Sequence, residues 1–359
     1  MSSPESFSAE LIRSAASAYA ALAARNLLEQ HPELGESMGE APFQTWKEHL
    51  EVRLLELSAA LEEGRSATFT AQVHWSRAAW AARGADTNGL KTAIQMLGDL
   101  LREELPPAAS PCAAAYIDEA LAGFDSLPEP AHFITGETTN NRLAAEYLQH
   151  LFRGEAAEAE ALVLRSVSDG SLSVRDAYLE VLQPALQEIG LMWQLGEATV
   201  PDEHFATGVT RRLAARLSSG VNPPAPNGRT VLATSVAKET HDVGLQMVSE
   251  CFVMDGWRVV NMGGDVPASD ILLAVKQYEA DVVAISATIP THRRAVAETI
   301  RLIRASLGTE SCPKVLVGGL AFPDEDSWQE VGADAQASDA PTAVSCARAM
   351  LGMDEALAN

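Results

Sequence analysis

The sequence predicts a multi-domain α and α/β protein with an all-helical N-terminal domain, a four-helix bundle and a doubly wound parallel sheet, placed at residues 1–130, 140–218 and 229–355. Three observations predict it. The first two regions carry apolar residues at three- and four-residue spacing, the mark of amphipathic helices. The last alternates short Val-rich runs with helical runs of about a dozen residues, as βα units do. Between them, SSGVNPPAPNGR (218–229) holds three prolines and two glycines and cannot continue a helix. An earlier interruption, LPEPAHFITGETTNN (127–141), separates the first two regions.

In the first region, helices are expected at 11–30, at 49–64 with Gly64 as the stop, at 69–84 and at 90–105, giving at least four. In the second, they are expected at 142–154, 157–170, 173–196 and 200–219, and the short connections favour antiparallel neighbours. In the third, RTVLATSVA, WRVVNMGG, ADVVAISAT and PKVLVGGLA lack polar alternation, as strands buried on both faces do, and a weak fifth strand is expected near DAQAS.

The 359 residues include 47% hydrophobic and 21% charged, enough apolar content for sizeable cores. The formal charge is −23, from 49 acids against 26 Lys and Arg. Such a chain repels phosphate backbones, so direct DNA binding is disfavoured. No apolar stretch reaches the roughly 18 residues a membrane span needs, and no secretory signal pattern opens the chain. The four cysteines are scattered without a CxxC pair, which suits reduced thiols and a cytoplasmic location.

Ligands of doubly wound sheets bind at the carboxyl ends of the strands. The loop after the first strand, SVAKETHDVG, lacks the G-x-G-x-x-G turn of dinucleotide sites. It presents Glu239, Thr240, His241, Asp242, Val243 and Gly244 instead. His241 is an imidazole able to ligate a transition metal, and Glu239 can accept its other N–H. A histidine that only caps a helix is an equal reading of this motif alone. The third strand ends in Ser286-Ala287-Thr288, the fourth in Gly318-Gly319, and Gly263-Gly264 follow the second, which together leave a groove for a long ligand tail. In the bundle, Gly196 ends one helix and Pro201 opens the next, so Trp193 closes the first while Glu203 and His204 begin the second. A core Trp beside a surface Glu-His pair is the plainer reading of that set.

E-x-H-x-x-G, S-x-T and G-G on such a sheet resemble the Rossmann-like cobalamin-binding domain, where Asp usually stands in place of Glu239 and S-x-L in place of Ser286-Ala287-Thr288. The resemblance implies cobalamin bound with its own base displaced, His241 as lower axial cobalt ligand, and the nucleotide tail along Gly244, Ser286, Gly318 and Gly319, beside Thr240, Asp242, Val243 and Thr288. W-x9-E-H in a four-helix cap is similar to B12-dependent photoreceptors of the CarH type. That implies adenosylcobalamin held by Trp193 and Glu203, light-driven cleavage of the Co–C bond, and His204 as candidate upper ligand afterwards. The N-terminal helices resemble globin-like sensor domains, and the layout resembles the photocobilins. This implies non-covalent biliverdin as second chromophore, with His74, Trp75 and Trp80 as candidate lining, and output through a protein partner or homo-oligomer. A signalling photoreceptor rather than an enzyme is therefore the leading expectation. A corrinoid carrier of a methyltransferase system is the alternative, and an interaction protein without cofactor the third reading. His31, His49, His132, His150 and His292 read as solvated or locally satisfied, and Asp324, Glu325 and Asp326 as a surface loop.

Overall fold

A computed structural model describes residues 3–36, 38–125, 131–308, 312–324 and 326–353. Glu325, residues 127–130 of the first interruption, and the expected end of the sheet domain at 354–355 lie outside the described residues. The chain forms two compact units, Met1–Pro130 with Gln194–Gly196, and Ala131–Trp193 with Glu197–Asn359.

The N-terminal unit is helical: α1 (Pro4–Ser14), α2 (Ala16–Gln30), α3 (Glu33–Glu36), α4 (Pro42–Glu63), α5 (Ser66–Ala82), α6 (Thr87–Glu104) and α7 (Ser110–Ala122). α4 stops where expected, because Gly64 takes the left-handed conformation (φ 67°) that ends helices. Ile12, Leu27, Trp46, Leu54, Phe69, Ile94 and Ile117 form its core. Inside it Arg53 pairs with Glu56 at 2.8 Å and bonds Ser76. Burial pushes the Glu56 carboxyl up to about 7, against the pull of Arg53. The helical class is as expected, whereas a globin-like arrangement goes beyond what these helices show.

The second unit opens with α8 (Thr139–Phe152), α9 (Ala156–Ser168), α10 (Val174–Asp176), a π-helical stretch (Ala177–Leu182), α11 (Gln183–Gln194) and α12 (Val200–Ser219). The helix expected at 173–196 thus runs through a π turn. Pro184 lacks an N–H and crowds the carbonyl one turn back, and a π turn relieves that conflict. α12 begins with a capping box, Thr199 and Asp202 satisfying each other's backbone N–H groups, with Pro in the first turn.

The sheet follows as β1 (Thr230–Ser235), α13 (Val243–Met254), β2 (Arg258–Asn261), α14 (Ala268–Tyr278), β3 (Val282–Ser286), α15 (Arg293–Ser306), β4 (Lys314–Gly318), α16 (Ser327–Val331), β5 (Ala335–Ala337) and α17 (Ala340–Met350). Its strands are all parallel in the order β2-β1-β3-β4-β5. Successive residues face opposite cores. Val231, Val282 and Leu316 join α13 and α17, while Leu232, Val283 and Val315 join α14 and α15. This two-sided burial explains the absence of polar alternation. The first of these cores also contains Tyr147, Tyr178, Val209 and Leu213 of the bundle, so bundle and sheet share one apolar interior. No helix among the described residues is long and apolar enough to cross a membrane.

Candidate functional site

The carboxyl ends of β1 and β3 lie side by side, because the chain leaves β1 for β2 on one flank and returns to β3 on the other. Such a reversal of strand order is where doubly wound sheets bind ligands. The loop after β1 bends through Lys238, whose left-handed backbone (φ 69°) is secured by its N–H on the Asp265 carboxylate at 2.6 Å. The Glu239 carbonyl accepts from the Asp265 N–H at 2.7 Å. A Cβ on Gly264 would stand 2.7 Å from that same oxygen, so only glycine fits there.

Glu239 is fully buried. Its Oε1 accepts from the His241 N–H at 3.0 Å and from His241 Nδ1 at 2.6 Å. Its Oε2 accepts from the Thr288 N–H at 2.7 Å, the Ile289 N–H at 3.3 Å and His292 Nδ1 at 3.0 Å. Burial alone would raise the carboxyl pKa. The donors from His241, His292 and the backbone outweigh burial and hold the group well below the usual carboxylate range. An ionised carboxylate only accepts, so both imidazoles present Nδ1–H to it, and the Nε2 lone pair of His241 is left for another partner. The His241 side chain is 53% exposed while its anchor is sealed. Its pKa is raised by the bond to Glu239, against burial, and the carboxylates of Glu203 and Asp242 push the same way. Glu203 of α12 therefore faces the electrostatic neighbourhood of His241.

Around this centre, Thr240 is exposed and Val243 is buried as α13 begins. Asp242 forms an ion pair with Arg211 of α12, which ties the bundle to the loop. A Cβ on Gly244 would meet nothing within 4 Å, so the helix start borders open space. Ser286 ends β3 in register with Ser235 and Gly318. Thr288 contributes its backbone N–H to Glu239. Gly318 and Gly319 have internal reasons as well: a Cβ on Gly318 would reach 2.8 Å from the Ala337 carbonyl oxygen, and one on Gly319 (φ 95°) would overlap that of Ala287. His292 was missed in the sequence, where it reads as locally satisfied. A histidine opening a helix after a strand carries no signal of a carboxylate about fifty positions away.

On the bundle side, Trp193 is half-buried against the shared core. Glu203 accepts from the Thr207 hydroxyl at 2.7 Å and from His204 Nδ1 at 2.6 Å, and the His204 side chain is 74% exposed. Glu203 and His204 thus come together, in the first turn of a capped helix.

Two family models described as B12 binding domain match the chain, one over residues 229–345 and the other over residues 143–218. Over 176 residues the chain is 30% identical to dimethylamine corrinoid protein 3 of Methanosarcina acetivorans, covering 47% of this chain and 79% of that protein. It is 28% identical over 216 residues to a corrinoid protein of Desulfitobacterium hafniense, covering 58% and 98%. The solved structure of the Methanosarcina barkeri monomethylamine corrinoid protein shares the fold, with a TM-score of 0.50 at 17% identity over 60% of this chain and 99% of that one.

These findings correct the leading expectation from the sequence. The relatives are corrinoid proteins, two of them named for methylamines, and a light-responsive photoreceptor is overturned in favour of the alternative. A B12 cofactor is supported, whereas these relatives lend no support to adenosylcobalamin as its form, to biliverdin as second chromophore or to signalling as the output. The W-x9-E-H set does not decide between photoreceptor and carrier: Pro and acidic residues after the Thr199 cap start any helix well, and Trp193 packs against the core, so a helix start of this kind needs no photoreceptor. The candidates for a bilin site also have local roles: His74 Nε2 lies 3.1 Å from the Ala120 carbonyl oxygen, and Trp80 packs against Trp46 and His49.

Proposed function

We propose, from the fact that this chain belongs to the B12-binding corrinoid protein family, that it is a carrier that holds a methyl group on cobalt and hands it between separate methyltransferases. One observation carries the reading: an exposed histidine at the strand-order reversal, with Nδ1 fixed by a sealed carboxylate and Nε2 open. Among the described residues no group of three or more His, Cys, Asp or Glu could hold a metal ion. A single protein ligand suits a cobalt that arrives with four nitrogens of its own ring, so the residues present fit a corrinoid.

Bound cobalamin supplies a cobalt centre that accepts and releases a methyl group. In this reading His241 Nε2 would ligate the cobalt, and Glu239 would hold the imidazole in the tautomer that ligation needs. Gly244, Ser286, Gly318 and Gly319 line the tail groove, with Thr240, Asp242, Val243 and Thr288 at its mouth. Residues 140–218 act as the cap. Val200 and Phe205 on its last helix, with Ile289 and Leu320 at the strand ends, expose large apolar side chains that a flat macrocycle would cover. Trp193, Glu203 and His204 stand on the cap side, where the upper face must stay open to a methyl donor and acceptor. Residues 1–130 form an interaction domain.

Purified protein reconstituted with hydroxocobalamin should show histidine nitrogen bound to cobalt. His241→Ala should remove that ligation and weaken cobalamin affinity about ten- to a hundred-fold, and loss of the ring donor to the buried Glu239 should lower apoprotein stability by about 1–3 kcal/mol. Unaltered spectra and affinity would overturn the axial assignment. The reduced, loaded protein should also take up a methyl group from methyl iodide, and a closed upper face that blocks this would overturn the carrier reading.

A further inference from the structure

We infer that His292 is a positioning residue for the axial histidine: by donating from Nδ1 to one oxygen of Glu239, it aims the other oxygen at His241 and thereby governs how well His241 binds cobalt. The inference rests on the proposed ligand role of His241. The residues that carry it are unusual in one respect: the anchoring acid is glutamate, one methylene longer than aspartate. The added torsion lets the carboxylate reach the turn after β3, and it also lets it swing. Two backbone N–H groups, of Thr288 and Ile289, meet one oxygen, and the Ile289 contact is long at 3.3 Å. His292 supplies a third donor to that oxygen at 3.0 Å from another direction, which fixes the plane of the group. His241 takes the opposite oxygen alone, through its N–H and Nδ1.

His292 is held as well as it holds. It closes the 3₁₀ turn Pro290–His292, its N–H bonded to the Ile289 carbonyl at 2.9 Å. The next residue, Arg293, is buried and paired with Glu330 of α16. The His292 side chain is only 15% exposed, so its bond to a charged acceptor is shielded from water, where such bonds are strongest. The chain His241–Glu239–His292 therefore links the loop after β1 to the turn after β3 across the strand-order reversal. A loose Glu239 would leave His241 free to rotate, and an axial bond needs a fixed ring.

The test is electron paramagnetic resonance of the full-length protein, labelled with 15N-histidine and loaded with cob(II)alamin, which reports axial histidine nitrogen as a doublet superhyperfine splitting, distinct from the triplet of the cofactor's own 14N base. The parent should show this histidine nitrogen splitting from all bound cobalt. His292→Leu should lose at least two-thirds of that doublet, to forms with the triplet or with no splitting, while still binding cobalamin. His292→Asn keeps an amide donor near the place of Nδ1 and should retain the parental splitting. Splitting that survives intact in the Leu variant would overturn the proposal while leaving His241 as ligand. Loss in the Asn variant equal to that in Leu would also overturn it, because the missing donor would then not be the cause. A parent without the histidine doublet would remove the ligand reading itself. Should the Leu variant fail to fold, the Asn variant still decides, since loss of its splitting contradicts the proposal.

Discussion

Two buried glutamates in the same compact unit make nearly the same bonds to different ends. Glu188 of α11 accepts from His132 Nδ1 at 2.6 Å and from the consecutive N–H groups of Phe133 and Ile134 at 2.8 and 3.2 Å. Glu239 accepts from His241 and His292 and from the consecutive N–H groups of Thr288 and Ile289. The first pins the segment entering the bundle against a helix. The second sits where strand order reverses, and its histidine stands at the rim of open space beside Gly244. A carboxylate–histidine pair is therefore no site by itself. Location and a second histidine set Glu239 apart from Glu188.

The comparison can be broken most severely at Glu239. Glu239→Ala leaves a set of buried donors without an acceptor, and urea denaturation should show a loss of about 3 kcal/mol or more. The refolded variant should also lose cobalt–histidine ligation. If ligation survives, the carboxylate is only structural, as Glu188 is held to be. Glu188→Ala should lower stability by about 1–3 kcal/mol and leave cobalamin affinity within about two-fold. A large change in affinity would erase the distinction.

A third buried carboxylate, Glu56 in the N-terminal unit, sharpens the contrast by its opposite sign. Its folded pKa of about 7 lies above the ordinary 4.5, so between those values the unfolded chain has lost the proton that the folded chain keeps. Stability of that unit should fall as pH rises from 4.5 to about 7, by up to about 3 kcal/mol, and level off above. Glu56→Gln should flatten the slope, as read from hydrogen exchange of α4 and α5 amides. A parent with no slope would mean that Arg53 keeps Glu56 ionised throughout. Smallest of all, Thr199→Ala removes the cap of α12 and should cost about 1 kcal/mol, with Glu203 and His204 still in the first turn.

The Val-rich runs made the sheet legible, because strands buried on both faces leave no polar residue to confuse them with loops. E-x-H-x-x-G was legible because its three members fall within one turn of chain, and the bond between Glu239 and His241 is local. The second half of the site was not. Thr288 acts through its backbone and His292 through its ring, both on a residue about fifty positions earlier, and only the pairing of β1 with β3 brings them together. The π turn at Pro184 hid inside a helical pattern for a related reason, since periodicity records which face is apolar and not how the backbone absorbs a missing donor. The W-x9-E-H set pointed to the wrong function, because local helix-start chemistry after the Thr199 cap produces the same residues without a photoreceptor.

The partners of Glu239 lie 49, 50 and 53 positions further along the chain. Closing a loop of that length costs several times RT in entropy before any contact offsets it, and parallel strands add further delay. A ribosome releasing this chain sets His241 free long before the turn that will steady it. The full set of bonds to Glu239 can only be completed after β1 and β3 have docked. A chain truncated before residue 292 thus carries E-x-H-x-x-G without the ring donor that Glu239 meets in the folded protein.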